Sequence, residues 1–189
     1  MSGRWPGHSV LAVPVPALDD WVRERTRGHD PAWVSTDPGF VHAHVTVLGP
    51  WLPAPAEGDL ERVAELVSAV PACDAELDDT AVFPEGMVHL RPEPVAAFAE
   101  LTELLAGAYP QCPPYEGRYA DVVPHLSLDQ VGARGAAGPV TREQVVADVA
   151  PLLPARVRVD RVDLQWWQAG GCRLLRPFPL AHAPARAQA

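Results

Sequence analysis

No lysine occurs in the 189 residues, so all fifteen positive charges are arginine. Nothing physical in the pattern requires that choice, and it reads as genome composition. Cysteine is scarce. Cys73, Cys112 and Cys172 stand far apart, are odd in number and form no CxxC pair. That excludes a disulfide framework and a cysteine-based structural zinc site, and fits a reducing cytoplasm. Basic charge is in deficit: the net charge is −9 and the pI about 5.1. A protein that grips a long nucleic acid carries a basic face, so extended RNA or DNA binding is not expected. A small phosphate ligand or an RNA end remains compatible. Long apolar runs are missing too. "SVLAVPVPAL" is too short and too broken by proline for a membrane span or signal peptide. The twenty-two prolines are scattered, singly except at Pro113-Pro114, and punctuate elements rather than forming a linker.

What is present is a soluble composition, 48% hydrophobic and 21% charged, long enough for a real core. Periodicity predicts strands over 8–16, 41–48, 73–83, 86–92, 125–131, 155–167 and 172–180. Helices are predicted over 17–28, 57–70, 93–109 and 141–153. The last opens with a capping-box pair, Thr141 and Gln144. A Gly-Gly turn joins the final two strands. The order strand, helix, strand, helix, strand occurs twice. The halves, about 8–83 and about 86–180 with a tail at 181–189, suggest one bilobal domain over 1–189 with a pseudo-twofold between similar lobes.

The repeat coincides with chemistry. "HVTV" at 44–47 and "HLSL" at 125–128 are each His, apolar, hydroxyl, apolar, and His125 follows His44 by 81 residues. Alternate side chains of a strand share a face, so each copy aligns an imidazole with a hydroxyl and sends two apolar groups into a core. Two opposed imidazoles, with pKa values near neutrality, can act as base and acid on opposite sides of a phosphorus. Thr46 and Ser127 can donate to the non-bridging oxygens, where charge gathers. Such a site needs no metal and no cofactor.

Paired motifs of this kind in a small bilobal chain resemble the two-histidine (2H) phosphoesterase superfamily, and more narrowly its bacterial 2'-5' RNA ligase-like group. "AHVTVLGPWLP", "VFPEGMVHLRPEP" and "PPYEGRYADVVPHLSL" extend the resemblance over most of 8–180. It implies an α+β fold of two antiparallel sheets with outer helices around a central groove. It implies metal-independent opening of a 2',3'-cyclic phosphodiester on a nucleotide, an RNA end or a small metabolite, with RNA ligase-like activity in some members. By motif position His44 and His125 carry over as the catalytic pair, and Thr46 and Ser127 as phosphate-binding residues. Ser127 for Thr keeps the hydroxyl. Asp129 stands where some RNA-directed relatives have a basic residue, which counts against a polynucleotide.

Other residues carry two readings. Tyr115, Tyr119, Trp51 and Trp167 are candidates to stack on a base, or else they pack the fold. His42 and His44 together could open a metal site, with His89 and Asp121 the nearest further ligands. The second copy has Val123 where His42 would recur, which points instead to a His42 at the groove rim, touching substrate, or behind the site, supporting the residues that do. Arg91, Arg118 and Arg173 either offset phosphate charge or are solvated, and Asp78 and Asp79 read as a polar turn. An inactive relative that binds a nucleotide or phosphometabolite in the same groove is the alternative from another class. A monomer is expected.

Overall fold

The two periodicities resolve into fourteen elements in a computed structural model that describes residues 7–119, 121–135 and 138–182. In chain order they are β1 (His8–Pro14), α1 (Asp19–His29), β2 (His44–Leu48), α2 (Glu57–Ser68), β3 (Cys73–Val82), β4 (Met87–Glu93), α3 (Val95–Ala108), β5 (Leu126–Gln130), β6 (Arg134–Gly135), β7 (Gly138–Pro139), α4 (Arg142–Val149), β8 (Ala155–Val159), β9 (Arg161–Trp167) and β10 (Arg173–Pro179). Eight of the strands form two four-stranded antiparallel sheets, ordered β10-β9-β1-β2 and β5-β4-β3-β8. This is the α+β architecture expected. The tail expected at 181–189 lies outside the described residues from 183 onward. No helix among those described is long and apolar enough to cross a membrane.

The core follows the alternation. Leu11, Leu48, Leu77, Leu90, Leu126 and Leu164 are fully buried on the strands. Helix α3 brings Phe98, Leu101 and Leu105, spaced i, i+3 and i+7, to zero exposure, and it packs on β2 and β4. Each such side chain contributes about 1.5–3 kcal/mol by leaving water. Thr141 accepts the Gln144 N–H at the start of α4, as the capping pair predicts.

The sheets do not coincide with the two sequence halves. Strand β3, from the first half, pairs with β4 through the tight turn at 83–86, where Gly86 takes φ +93. The second half returns β9 and β10 to complete the sheet of β1 and β2. The halves are therefore interleaved, because the local hairpin outcompetes pairing within each half.

The single strand expected over 155–167 is two strands in different sheets. Buried apolar positions run Ala155, Val157, Val159, then change phase to Val162 and Leu164, with Asp163 and Gln165 buried between and beyond them. Asp160 sits at the slip, and its carbonyl accepts the Leu180 N–H at 2.8 Å. Asp78 and Asp79, expected in a turn, lie at an irregularity of the β3–β4 register. Strand β2 begins at His44 rather than at 41, for a reason seen at the site.

Candidate active site

The tetrads occupy the same place in each sheet. Strand β2 is one edge and β5 the other, and their residues approach within 8 Å between Cα atoms. Val45, Val47, Leu126 and Leu128 turn into the core. His44, Thr46 and His125 stay half-buried and Ser127 is exposed. Gly49 closes the strand because a Cβ there would meet the Thr46 methyl and Val10 at 3.3 Å.

Both histidines are held by one device. His44 Nδ1 lies 2.6 Å from the His42 carbonyl oxygen and His125 Nδ1 lies 2.7 Å from that of Val123. A carbonyl only accepts, so Nδ1 carries the proton and donates in each case. Each neutral ring is left with Nε2 as its lone-pair nitrogen. Burial first, and then positive charge on His125 or His42, pushes the His44 imidazole down to about 4, against the opposing pull of the His42 carbonyl and of Asp19. Burial also lowers His125, while Glu85 pulls it the other way. The influence of the His125 ring on His44 is that of a neighbour.

Two cavities flank His44. One, of about 350 Å³, is walled by His8, Thr46, Tyr115, Arg118, Tyr119 and Trp167 besides His44. The other, of about 310 Å³, is lined by Arg25, Thr26, His29, Ser127 and Asp129 together with His42, His44 and Trp167. His44 and Trp167 belong to both. The Trp167 ring centroid lies 5.3 Å from that of His44. On the other tetrad, Tyr115 stacks on His125 at 6.1 Å and Phe83 meets it edge-on at 4.8 Å. The Tyr115 N–H donates to the Gly49 carbonyl oxygen at 2.8 Å. That bond holds Tyr115 at φ 51, in the left-handed region that a bulky residue occupies only under constraint.

Two expected contacts are corrected. Trp51 is 4% exposed and packs edge-on against Tyr109 in the core, away from both cavities. His42 is 3% exposed and sits in the wall of the second cavity, not at the rim. Its Nε2 accepts the Ser35 N–H at 3.0 Å. The Asp19 carboxylate accepts the N–H groups of His42 and Ala43, replacing ladder partners and delaying β2 to His44. Among the described residues no group of three or more His, Cys, Asp or Glu side chains is disposed to hold a metal ion.

Tyr119, 52% exposed, edges onto Tyr115. Arg118 pairs with Glu116 beside the first cavity, Arg91 pairs with Asp79 on the surface, and Arg173 stands over Trp166. Asp121 is exposed.

Four residues take places that sequence reasoning missed. His89, 1% exposed, lies directly across from Ser127 and stacks on Phe83. Arg25 and His29 reach Asp129 from α1, at 3.4 and 2.7 Å. Arg25 thus stands from the first half beside Asp129, where the second tetrad lacks a following basic residue, and only the basic end of α1 hinted at it. Gln165 is fully buried, and its one signal was a lone amide in an apolar run.

Asp19→Ala is expected to leave two backbone donors without their acceptor. Urea denaturation should show a loss of about 1–3 kcal/mol; an unchanged midpoint and slope would contradict the role.

The family model of the 2'-5' RNA ligase superfamily matches residues 14–171. No curated protein sequence matches. Among solved structures, TT0787 of Thermus thermophilus superposes with a TM-score of 0.57 at 19% identity, covering 93% of this chain and 98% of that one. E. coli LigT complexed with 3'-AMP gives 0.56 at 16% identity with the same coverages. LigT complexed with phosphate gives 0.53 at 16%, again over 93% and 98%. At such identities the structures speak for the fold. The family rests on the sequence match, which spans both tetrads and every strand of the two sheets but β1 and β10: this chain belongs to the 2'-5' RNA ligase superfamily, the two-histidine phosphoesterases.

Proposed function

We propose that the protein is a metal-independent cyclic phosphodiesterase that opens a 2',3'-cyclic phosphate on a nucleotide, an RNA end or a small metabolite. The observation that carries this reading is the matched Nδ1-to-carbonyl tie on His44 and His125. It leaves two free Nε2 atoms on meeting edge strands, one for each proton transfer. The nucleotide and phosphate in the LigT complexes support a ligand of this class. The aromatic walls of the first cavity suit a base or another flat group.

In the hydrolytic direction His44 Nε2 removes a proton from water as its oxygen attacks phosphorus. The bond to one ribose oxygen breaks in line, and His125 Nε2–H protonates that oxygen. The product is a phosphomonoester with a free hydroxyl, and the two rings have exchanged protonation. Thr46 and Ser127 donate to the non-bridging oxygens. His44 is assigned as base because its neutral form is the more strongly favoured. His125 is the acid, with Glu85 on the side of its protonated form. The substrate's anionic phosphate stabilises that imidazolium once bound.

The test is turnover of 2',3'-cyclic nucleotides with chelator present, and its pH dependence is specified. The base form of His44 prevails above about 4. The acid form of His125 prevails only below a pKa that burial has lowered from 6.5. For free enzyme, kcat/KM should peak between these values and fall about tenfold per pH unit on the alkaline side. The alkaline limb of kcat should lie at higher pH, because bound phosphate raises His125. A profile flat from about pH 5 to 8 would rule out this pair.

A further inference from the structure

Gln165 is a fully buried amide on β9, in the interior of the sheet. A buried amide costs free energy unless its donors and acceptor are engaged. Here each end has a partner of fixed polarity. Gln165 Nε2 donates to the Val41 carbonyl oxygen at 2.8 Å, and Gln165 Oε1 accepts from Trp167 Nε1–H at 3.0 Å. A carbonyl cannot donate and an indole N–H cannot accept, so only one orientation of the amide satisfies both.

These two partners border His44 from different sides. Val41 adjoins His42, whose carbonyl receives His44 Nδ1–H. Trp167 lies against His44 and lines both cavities. Phe40 wedges edge-on against the other side of the arrangement, 4.9 Å from Trp167 and 4.9 Å from His42. Leucine at position 165 would serve the core as well. What it would not do is tie the segment that orients the imidazole to the ring that covers it.

We propose that Gln165 is a positioning residue for His44, acting through Trp167 and the Val41–His42 segment. The proposal rests on His44 being the base. The amide holds the indole beside the imidazole, tilted at 45° to it, and so keeps water from that side. The titratable groups that act on His44 are His42 before it, Asp19 from α1 and His125 from the other tetrad; its two cavities add His8, Tyr115, Glu116, Arg118 and Tyr119 on one side and Arg25, His29 and Asp129 on the other. Gln165→Met leaves all of them in place, so a change in the titration of His44 reports its cover and orientation.

The experiment uses full-length wild type, Gln165→Met, Trp167→Phe and the double variant. Two readouts are taken: kcat/KM on 2',3'-cyclic AMP, and the NMR titration of the His44 ring, assigned by its loss in His44→Ala. Gln165→Met should lower kcat/KM roughly tenfold to a hundredfold and move the His44 titration upward from about 4. In the Trp167→Phe background the further loss in kcat/KM should be much smaller, because part of the tie is already cut. Equal losses in both backgrounds, or a lowered Tm with an unmoved His44 titration, would overturn the proposal. If Gln165→Met does not fold, Trp167→Phe alone removes the Nε1–H and has to move the titration in the same direction; no movement overturns the proposal. If wild type does not turn over the cyclic nucleotide, the acid/base reading fails separately, while the titration still decides the positioning.

Discussion

Replacement of either His44 or His125 by alanine is expected to lower kcat on a 2',3'-cyclic nucleotide by roughly 10²–10⁴-fold. The chelator is present throughout, so that no adventitious metal substitutes for the missing ring. In the proposed mechanism each imidazole carries one of two proton transfers in a single displacement, and losing either leaves the step without its partner. The double variant should therefore be little worse than the poorer single one, since groups that act as a unit are not additive. The two rings stand on sheet edges, so truncation spares the strand cores: Val45 and Val47 beside His44, Leu126 and Leu128 beside His125. Unchanged far-ultraviolet circular dichroism would separate chemistry from folding. Full activity in both variants would end the two-histidine reading. Binding of 3'-AMP with no turnover in wild type would instead favour an inactive binding module.

The tetrads were legible because strand alternation couples chemistry to packing. In His-x-Thr-x and His-x-Ser-x, the apolar members that must be buried force the polar members outward, and the burial of β2 and β5 follows that rule. His42 escaped it. The same alternation assigned it to the face of His44, but Asp19 takes the N–H groups of His42 and Ala43 and keeps residues 41–43 out of the strand. A carboxylate 23 residues away leaves no trace in a local period. The division at Asp160 was legible in principle, as the change of phase from Val157 and Val159 to Val162 and Leu164. Read as one strand, it hid the exchange of strands between the halves. Period tells which face of a strand is buried and nothing of its neighbour, so pairing partners were beyond reach. His89 shows the same limit. Its place opposite Ser127 depends on a register shift between Val88 and His89, which no spacing encodes.

That exchange bears on the site. Each tetrad strand is a sheet edge, and an edge is ordinarily a liability because its backbone groups can recruit another strand. Here β2 and β5 approach one another closely and are walled by Trp167 on one side and Phe83 with Tyr115 on the other. Trp167 comes from β9 and so belongs to the second half of the sequence, yet it covers the first-half histidine. Phe83 immediately follows β3, from the first half, and covers the second-half histidine. Interleaving the halves makes each imidazole dependent on the other half for its surroundings.

Thr46→Val is expected to reduce kcat by roughly 10²-fold or more, the scale of losing one preorganised donor to developing charge. The substitution preserves shape and removes one hydroxyl, so packing against Gly49 is nearly kept. Ser127→Ala should act in the same direction but less. Thr46 is half-buried in the wall of the first cavity, whereas Ser127 is exposed. A donor screened from water is worth more to a growing negative charge than one that water can replace. The loss should fall on kcat more than on KM, because the proposed role sets the hydroxyls against charge that gathers as the bond to the leaving oxygen breaks. Ser127→Thr restores the symmetry of the two motifs and should leave kcat within about twofold, since the donor is unchanged. Steady-state kinetics on one cyclic nucleotide measures all three. An effect of Thr46→Val confined to KM would mean that the hydroxyl merely binds substrate, and a larger loss in Ser127→Ala than in Thr46→Val would overturn the ranking by burial.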